Sequence, residues 1–231
     1  MDLLRDFLEN FDLYALLRLG IQTAAVLLCL TVHELCHGLT AYALGDRTAK
    51  RAGRLSLNPV KHIDPVGFLM LLVARVGWAK PVPVDLRHFK HPKRGMALTA
   101  LAGPVSNVLL AALALVCGVL LLNLFEGSGG PALAYVLFFL CYIAVLSVGL
   151  GLFNLIPIPP LDGSRILSCV LPDRLYYGLM RYERWLMLGV IALAWFGILT
   201  GPLDAAMGRL LELLCRATRF PFAFFQYYFG F

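Results

Sequence analysis

The chain has 231 residues, 60% of them hydrophobic and 15% charged, and a formal net charge of +6. That balance excludes an ordinary soluble domain and describes a membrane protein. The basic residues cluster between apolar runs instead of forming one basic domain, which argues against a nucleic-acid partner and for a charge bias that sets membrane topology.

The first dozen residues carry Asp2, Asp6, Glu9 and Asp12 where a cleavable signal peptide would be basic, so the first apolar segment is expected to remain. That segment, Tyr14 to Leu44, exceeds the ~20 residues needed to cross a bilayer. It contains His33-Glu34-Leu35-Cys36-His37. Four residues apart on a helix, His33 and His37 lie on one face and can hold one cation together. HExxH on a helix is the metalloprotease arrangement, with two imidazoles as zinc ligands and the glutamate handling protons. His33 precedes Leu44 by eleven residues, which puts the metal about 16 Å inside that end of the helix.

Asp46 to Asp64 follows, with Arg47, Lys50, Arg51, Arg54 and Lys61. The apolar run Val66 to Ala79 is short and interrupted by Arg75, so it reads as a re-entrant or interfacial segment, not a crossing. Gly95 to Phe125, Pro131 to Ile156 and Trp185 to Leu199 read as further spans, the first two joined by an EGSGG turn. With Val66 to Ala79 not crossing, the loops at 46–94 and 163–184 share a side and hold fourteen of the twenty Lys and Arg residues, plus Arg75. The positive-inside rule makes that side cytoplasmic. Beyond Pro202, apolar Leu203, Met207, Leu210, Leu211 and Leu214 share one helical face and Arg209, Glu212, Arg216 and Arg219 the other, the pattern of a helix lying in the interface. The aromatic tail FPFAFFQYYFGF reads as an interfacial anchor. The expected fold is an all-α membrane protein of about four transmembrane helices, with a re-entrant segment and a C-terminal interfacial helix, forming a single domain over 1–231 with a catalytic core at about 14–165.

Two histidines leave zinc short of its usual three protein ligands and a water. Asp162 is the best third ligand. It stands in NLIPIPPLDGSRIL, where Pro157, Pro159 and Pro160 end the preceding span and Gly163 permits a tight turn. Irregular backbone at membrane depth is tolerated only when buried or lining a wet cavity, so the break itself marks a site. Taken alone, Asp162 reads equally well as a helix N-cap. With HELCH the ligand reading prevails, because unpaired intramembrane ionisable groups cost about 2.5–3.5 kcal/mol each. Cys29 and Cys36 read as packing residues, and the six scattered cysteines as core residues without disulfides. His62, Asp64, His88 and His91 read as surface residues of the basic loops. Asn154 can bond a helix terminus or reach a developing oxyanion.

HELCH at 33–37, GRLSLNPVKHIDPVG at 53–67, GWAKPVPVD at 77–85, AGPVSN at 102–107 and NLIPIPPLDG at 154–163 together resemble the site-2 protease family of intramembrane zinc metalloproteases. The resemblance covers residues 28 to 165. It implies a core of three transmembrane helices, one zinc bound by His33, His37 and Asp162, Glu34 as catalytic base and Asn154 stabilising the tetrahedral intermediate. It also implies a re-entrant strand-like element after the first core helix. The expected activity is hydrolysis of peptide bonds in or near transmembrane segments of other membrane proteins, within membrane lipid and in a prokaryotic plasma membrane. A helical substrate must unwind, and its extended stretch would pair with the edge at Lys80 to Asp85, including Val82 and Val84. A zinc-binding membrane protein without turnover is the competing class; Glu34 discriminates, since a structural site has little need of a carboxylate that is not a ligand. A metallopeptidase with a glutamate third ligand would need one further along a helix, and none occurs between His37 and Glu126.

Overall fold

The computed structural model describes residues 13–67, 79–125 and 129–231. Among these residues the fold is helical and contains no strand. The helices are α1 (Leu13–Ala43), α2 (Thr48–Arg51), α3 (Pro92–Leu124), α4 (Gly130–Asn154), α5 (Asp162–Leu167), α6 (Asp173–Arg181), α7 (Glu183–Trp195), α8 (Thr200–Thr218) and α9 (Ala223–Phe229). Only α1, α3 and α4 are long and apolar enough to cross a membrane among the described residues.

These three pack through small side chains, as helices must where lipid is as apolar as leucine and close approach supplies the attraction. Ala25 and Cys29 of α1 meet Ala114 of α3 and Ile143 of α4 in one buried cluster. Ala111 and Leu115 of α3 meet Leu137, Cys141, Ala144 and Val148 of α4 in another. Outward, Leu109, Leu113 and Leu120 are 66%, 59% and 62% exposed, an apolar surface suited to lipid and not to water. All six cysteines are free, as expected; Cys29, Cys141 and Cys215 are buried, whereas Cys169 is exposed and so is not the core residue expected.

The expected fourth span, Trp185 to Leu199, is not one long helix. Gly197 takes φ 73°, and Ile198 N–H returns to the Leu193 carbonyl at 3.0 Å, an αL termination that stops the helix. The resulting α7 has 13 residues, about 20 Å at ~1.5 Å per residue, short of the ~30 Å hydrocarbon core.

The reading of α8 as a helix lying flat in the interface is also corrected. Its apolar face is covered by protein, with Leu211 and Cys215 buried against α3 and α4. Met207 meets Gly149 and Cys215 joins the cluster containing Cys141, so α8 runs antiparallel to α4 along the bundle. Arg219, at φ 62°, ends α8 and folds the aromatic tail back. Phe220 closes on Gly118, and Phe229 stacks on Phe138 at 6.1 Å, so the tail packs on the bundle instead of standing free as an anchor.

Of the re-entrant segment, residues 68–78 lie outside the described ones. At its edges, Ile63 and Ala79 form an isolated antiparallel bridge, and Lys80 N–H donates to the His62 carbonyl at 2.8 Å. Buried Arg54 ties the two sides together by donating to the carbonyls of Lys61, Lys80 and Pro81. His62 is 2% exposed and its Nε2 stands 2.8 Å from the Ser56 carbonyl, so this residue supports the loop from inside and is not at the surface.

Candidate metal centre

Helical spacing sets the first half of the site. His33 and His37 are adjacent on α1, with ring centroids 4.5 Å apart, and both are buried. They lie ten residues or fewer from Ala43, so the site sits up to about 15 Å inside that end of the helix.

The second half comes from the proline-broken chain after α4. Gly163 lies so close to the Leu155 and Ile156 carbonyls that a side chain there would collide with backbone, so the chain turns back on the residues that follow α4, and α5 packs against α3. Asp162 opens α5 and does not cap it; Leu161 occupies the N-cap position. The Asp162 carboxylate instead points at the imidazoles, with Oδ2 3.1 Å from Nε2 of His33 and 3.1 Å from Nε2 of His37. The ligand atoms of the three residues lie within 4.8 Å of one another and all three residues are buried. This is the one group of its kind among the described residues. Nitrogen and oxygen donors of a tetrahedral zinc, at about 2.0–2.1 Å from the metal, stand about 3.3 Å apart, so the donor set and its spacing fit that ion.

AGPVSN supplies the third wall. A Cβ on Gly103 would stand 2.5 Å from Cε1 of His37 and 2.6 Å from Cε1 of His33, so only glycine lets α3 pass this close. One turn earlier, the Thr99 carbonyl accepts a bond of 2.7 Å from Nδ1–H of His37, which leaves Nε2 of that ring free to ligate. Asn107, one turn later and fully buried, reaches Nδ1 of His33 at 3.2 Å. Sequence reasoning matched this motif without assigning roles to Gly103, Thr99 or Asn107. The signal was the spacing of four between Thr99, Gly103 and Asn107, which places all three on one face of α3.

Glu34 is not in the cluster of three. Its Oε2 accepts a bond of 2.8 Å from Val82 N–H, which joins the segment 80–85 directly to the carboxylate beside the site. Val82 is buried against Gly38, whereas Val84 is half-buried and Pro81 and Pro83 are exposed. Asn154, in the last turn of α4, donates from its amide to the Leu150 carbonyl at 2.9 Å, the helix-terminus contact that was one of its two readings. Cys29 packs as expected, its Sγ 3.2 Å from Ser147 Oγ.

Beyond the site, fully buried Asp46 binds the far end of the same segment, accepting from Asp85 N–H at 2.7 Å and Thr48 N–H at 2.9 Å, with His88 Nδ1 at 3.2 Å. Burial pushes this carboxyl up, but the bonds from Thr48 and Asp85 and the nearby His88 outweigh it and hold the group below the usual carboxylate range. Hydrogen bonds from Arg87 likewise hold the Asp85 carboxyl low.

Comparison with known proteins agrees with this geometry. The family model described as Peptidase family M50 matches residues 122–196, the part that carries Asn154 and Asp162. The protein named "Putative zinc metalloprotease YwhC" of Bacillus subtilis (strain 168) is 43% identical over 170 residues, which cover 71% of this chain and 75% of that one. Rip2 of Mycolicibacterium smegmatis, of the same description, is 33% identical over 174 residues, 74% of this chain and 64% of its own. Rip2 of Mycobacterium tuberculosis is 33% identical over 150 residues, 55% of its length. No solved structure matches. With a buried His-His-Asp group built from HExxH and a distant aspartate, and this identity to the zinc metalloprotease relatives, the chain belongs to peptidase family M50, the site-2 protease family of zinc metalloproteases.

Proposed function

We propose that this protein hydrolyses peptide bonds in or near transmembrane segments of other membrane proteins, using one zinc per chain held by His33, His37 and Asp162. The observation that carries this reading is the buried convergence of three ligand atoms within 4.8 Å of one another, well inside the end of an apolar helix. Zinc, when bound, supplies Lewis acidity: it polarises the scissile carbonyl and lowers the pKa of a water toward ~7. Glu34 takes the proton of the attacking water and passes it to the leaving amine. Val82 N–H, by holding Oε2, fixes the orientation of that base. Asn154 releases the Leu150 carbonyl and turns its amide to the developing oxyanion.

The substrate unwinds beside the segment Lys80 to Asp85. Val82 uses its N–H on Glu34, Pro81 and Pro83 have none, and Arg54 occupies the Lys80 and Pro81 carbonyls, so the acceptor offered to the N–H of a substrate strand is the Pro83 carbonyl. The described parts of the basic loops, 46–67, 79–94 and 163–184, lie at the site's end of α1, α3 and α4, which supports a cytoplasmic-side active site in a prokaryotic plasma membrane, with lipid around α1, α3 and α4.

Two variants test the assignment. Glu34→Gln is expected to keep zinc and lose proteolysis by about 10²–10⁴-fold. Asp162→Ala is expected to lose stoichiometric zinc in metal analysis of the purified protein. Full proteolysis by Glu34→Gln, or unchanged zinc in Asp162→Ala, would overturn the reading.

A further inference from the structure

Both imidazoles turn Nε2 toward Asp162, so each can ligate through Nε2 only if its proton resides on Nδ1. For His37 the question is closed by the Thr99 carbonyl, which can only accept. For His33 the partner is the Asn107 side chain, an amide with one donating and one accepting end.

As placed, the Asn107 nitrogen faces Nδ1 of His33 at 3.2 Å, and its Oδ1 is buried with no hydrogen-bond partner. In that orientation Nδ1 must accept, the proton moves to Nε2, and the ring presents N–H where a ligand lone pair is required. A half-turn about the Asn107 Cβ–Cγ bond exchanges the two ends without moving any other atom. It places Oδ1 where Nδ1–H can donate to it and relieves the orphaned acceptor. Asn107 is fully buried and lies one helical turn from Gly103, the residue whose missing Cβ lets both imidazoles approach α3.

We propose that Asn107 is a positioning residue, whose amide oxygen accepts Nδ1–H of His33 and thereby fixes the tautomer that offers Nε2 to the metal. The two ligand histidines are then held alike, one by a backbone carbonyl and the other by a side-chain carbonyl, both from α3. The inference rests on the zinc site proposed above, and the experiment separates the two: a wild-type chain that binds no zinc defeats that reading, whereas the variants below address only Asn107.

The experiment measures zinc affinity of purified wild-type, Asn107→Leu and Asn107→Asp protein by chelator competition, and the visible absorption of each after cobalt substitution. Ser106→Ala, which removes a neighbouring buried hydroxyl bonded to the Gly103 carbonyl, is the control for disturbance of α3. Asn107→Leu cannot accept and is expected to weaken zinc binding by about 10–100-fold and to alter the cobalt spectrum. Asn107→Asp keeps an acceptor and is expected to bind zinc at least as tightly as wild type, with Ser106→Ala unchanged. Wild-type affinity in Asn107→Leu would overturn the proposal. So would binding weakened as much in folded Asn107→Asp as the leucine variant is expected to show, since the acceptor that the proposal requires is present there; that outcome decides the matter even if the leucine variant does not fold.

Discussion

Single side chains decide whether the metal site can exist. HExxH could be read from the sequence because helical periodicity alone brings His33 and His37 together, and no tertiary contact is needed for that. Asp162 could be nominated because the prolines break the helix before it, but its competing role as an N-cap was settled only by its 3.1 Å approach to both imidazoles. Gly103 was matched as part of a motif and given no task, since the collision it avoids involves rings more than sixty positions away in the chain. Gly103→Ala is therefore expected to displace both imidazoles and to lower zinc content and activity together, while leaving the helical content seen by circular dichroism unchanged. Alanine is the better helix former, so a loss cannot come from propensity. Full zinc occupancy in this variant would show that α3 has room to move away.

At the scale of elements, the segment 80–85 is held at three points: Arg54 on its carbonyls, Glu34 on Val82 N–H and Asp46 on Asp85 N–H. The resemblance implied an extended edge here, with alternating prolines limiting which side accepts a partner, yet nothing in the sequence showed that two carboxylates would fasten it, because Glu34 and Asp46 are distant in sequence from the amides they hold. The Asp46 carboxyl is held below its usual range in the folded protein. A depressed folded value contributes stability above the unfolded value of about 3.9 and loses it as pH falls through the folded value. Hydrogen-exchange protection of residues 80–88, corrected for intrinsic rates, is expected to be flat from pH 7 to about 5 and to fall in strong acid. Asp46→Ala should lower that protection by roughly tenfold already at pH 7, in line with one hydrogen bond to a charged group at about 1.5 kcal/mol. Equal protection in the variant and the parent would remove Asp46 as an anchor.

For the whole molecule, the site is carried by three helices long and apolar enough to cross a membrane, and the proposed cytoplasmic orientation follows from the charge bias of the loops. Exposed Cys169 lies in the 163–184 loop, its Sγ 3.2 Å from the Lys93 carbonyl, so the two basic loops meet at one end of the bundle. An impermeant thiol reagent is expected to label Cys169 in inverted membrane vesicles and not in intact cells, and the opposite pattern would reverse the proposed orientation. The sequence by itself determined the membrane class, the three long helices and the pairing of His33 with His37, because composition, run length and helical spacing are local properties. It misplaced the C-terminal fifth: the apolar run at 185–199 is cut by Gly197, and the amphipathic face of α8 covers protein instead of lying in the interface. An apolar stripe records only that it must be buried, not against what, and tertiary packing alone chose α4 as its partner. Likewise, an aspartate in a proline-rich turn records only that it is polar and constrained. The fold around Gly103, Thr99 and Asn107 decided what Asp162 meets.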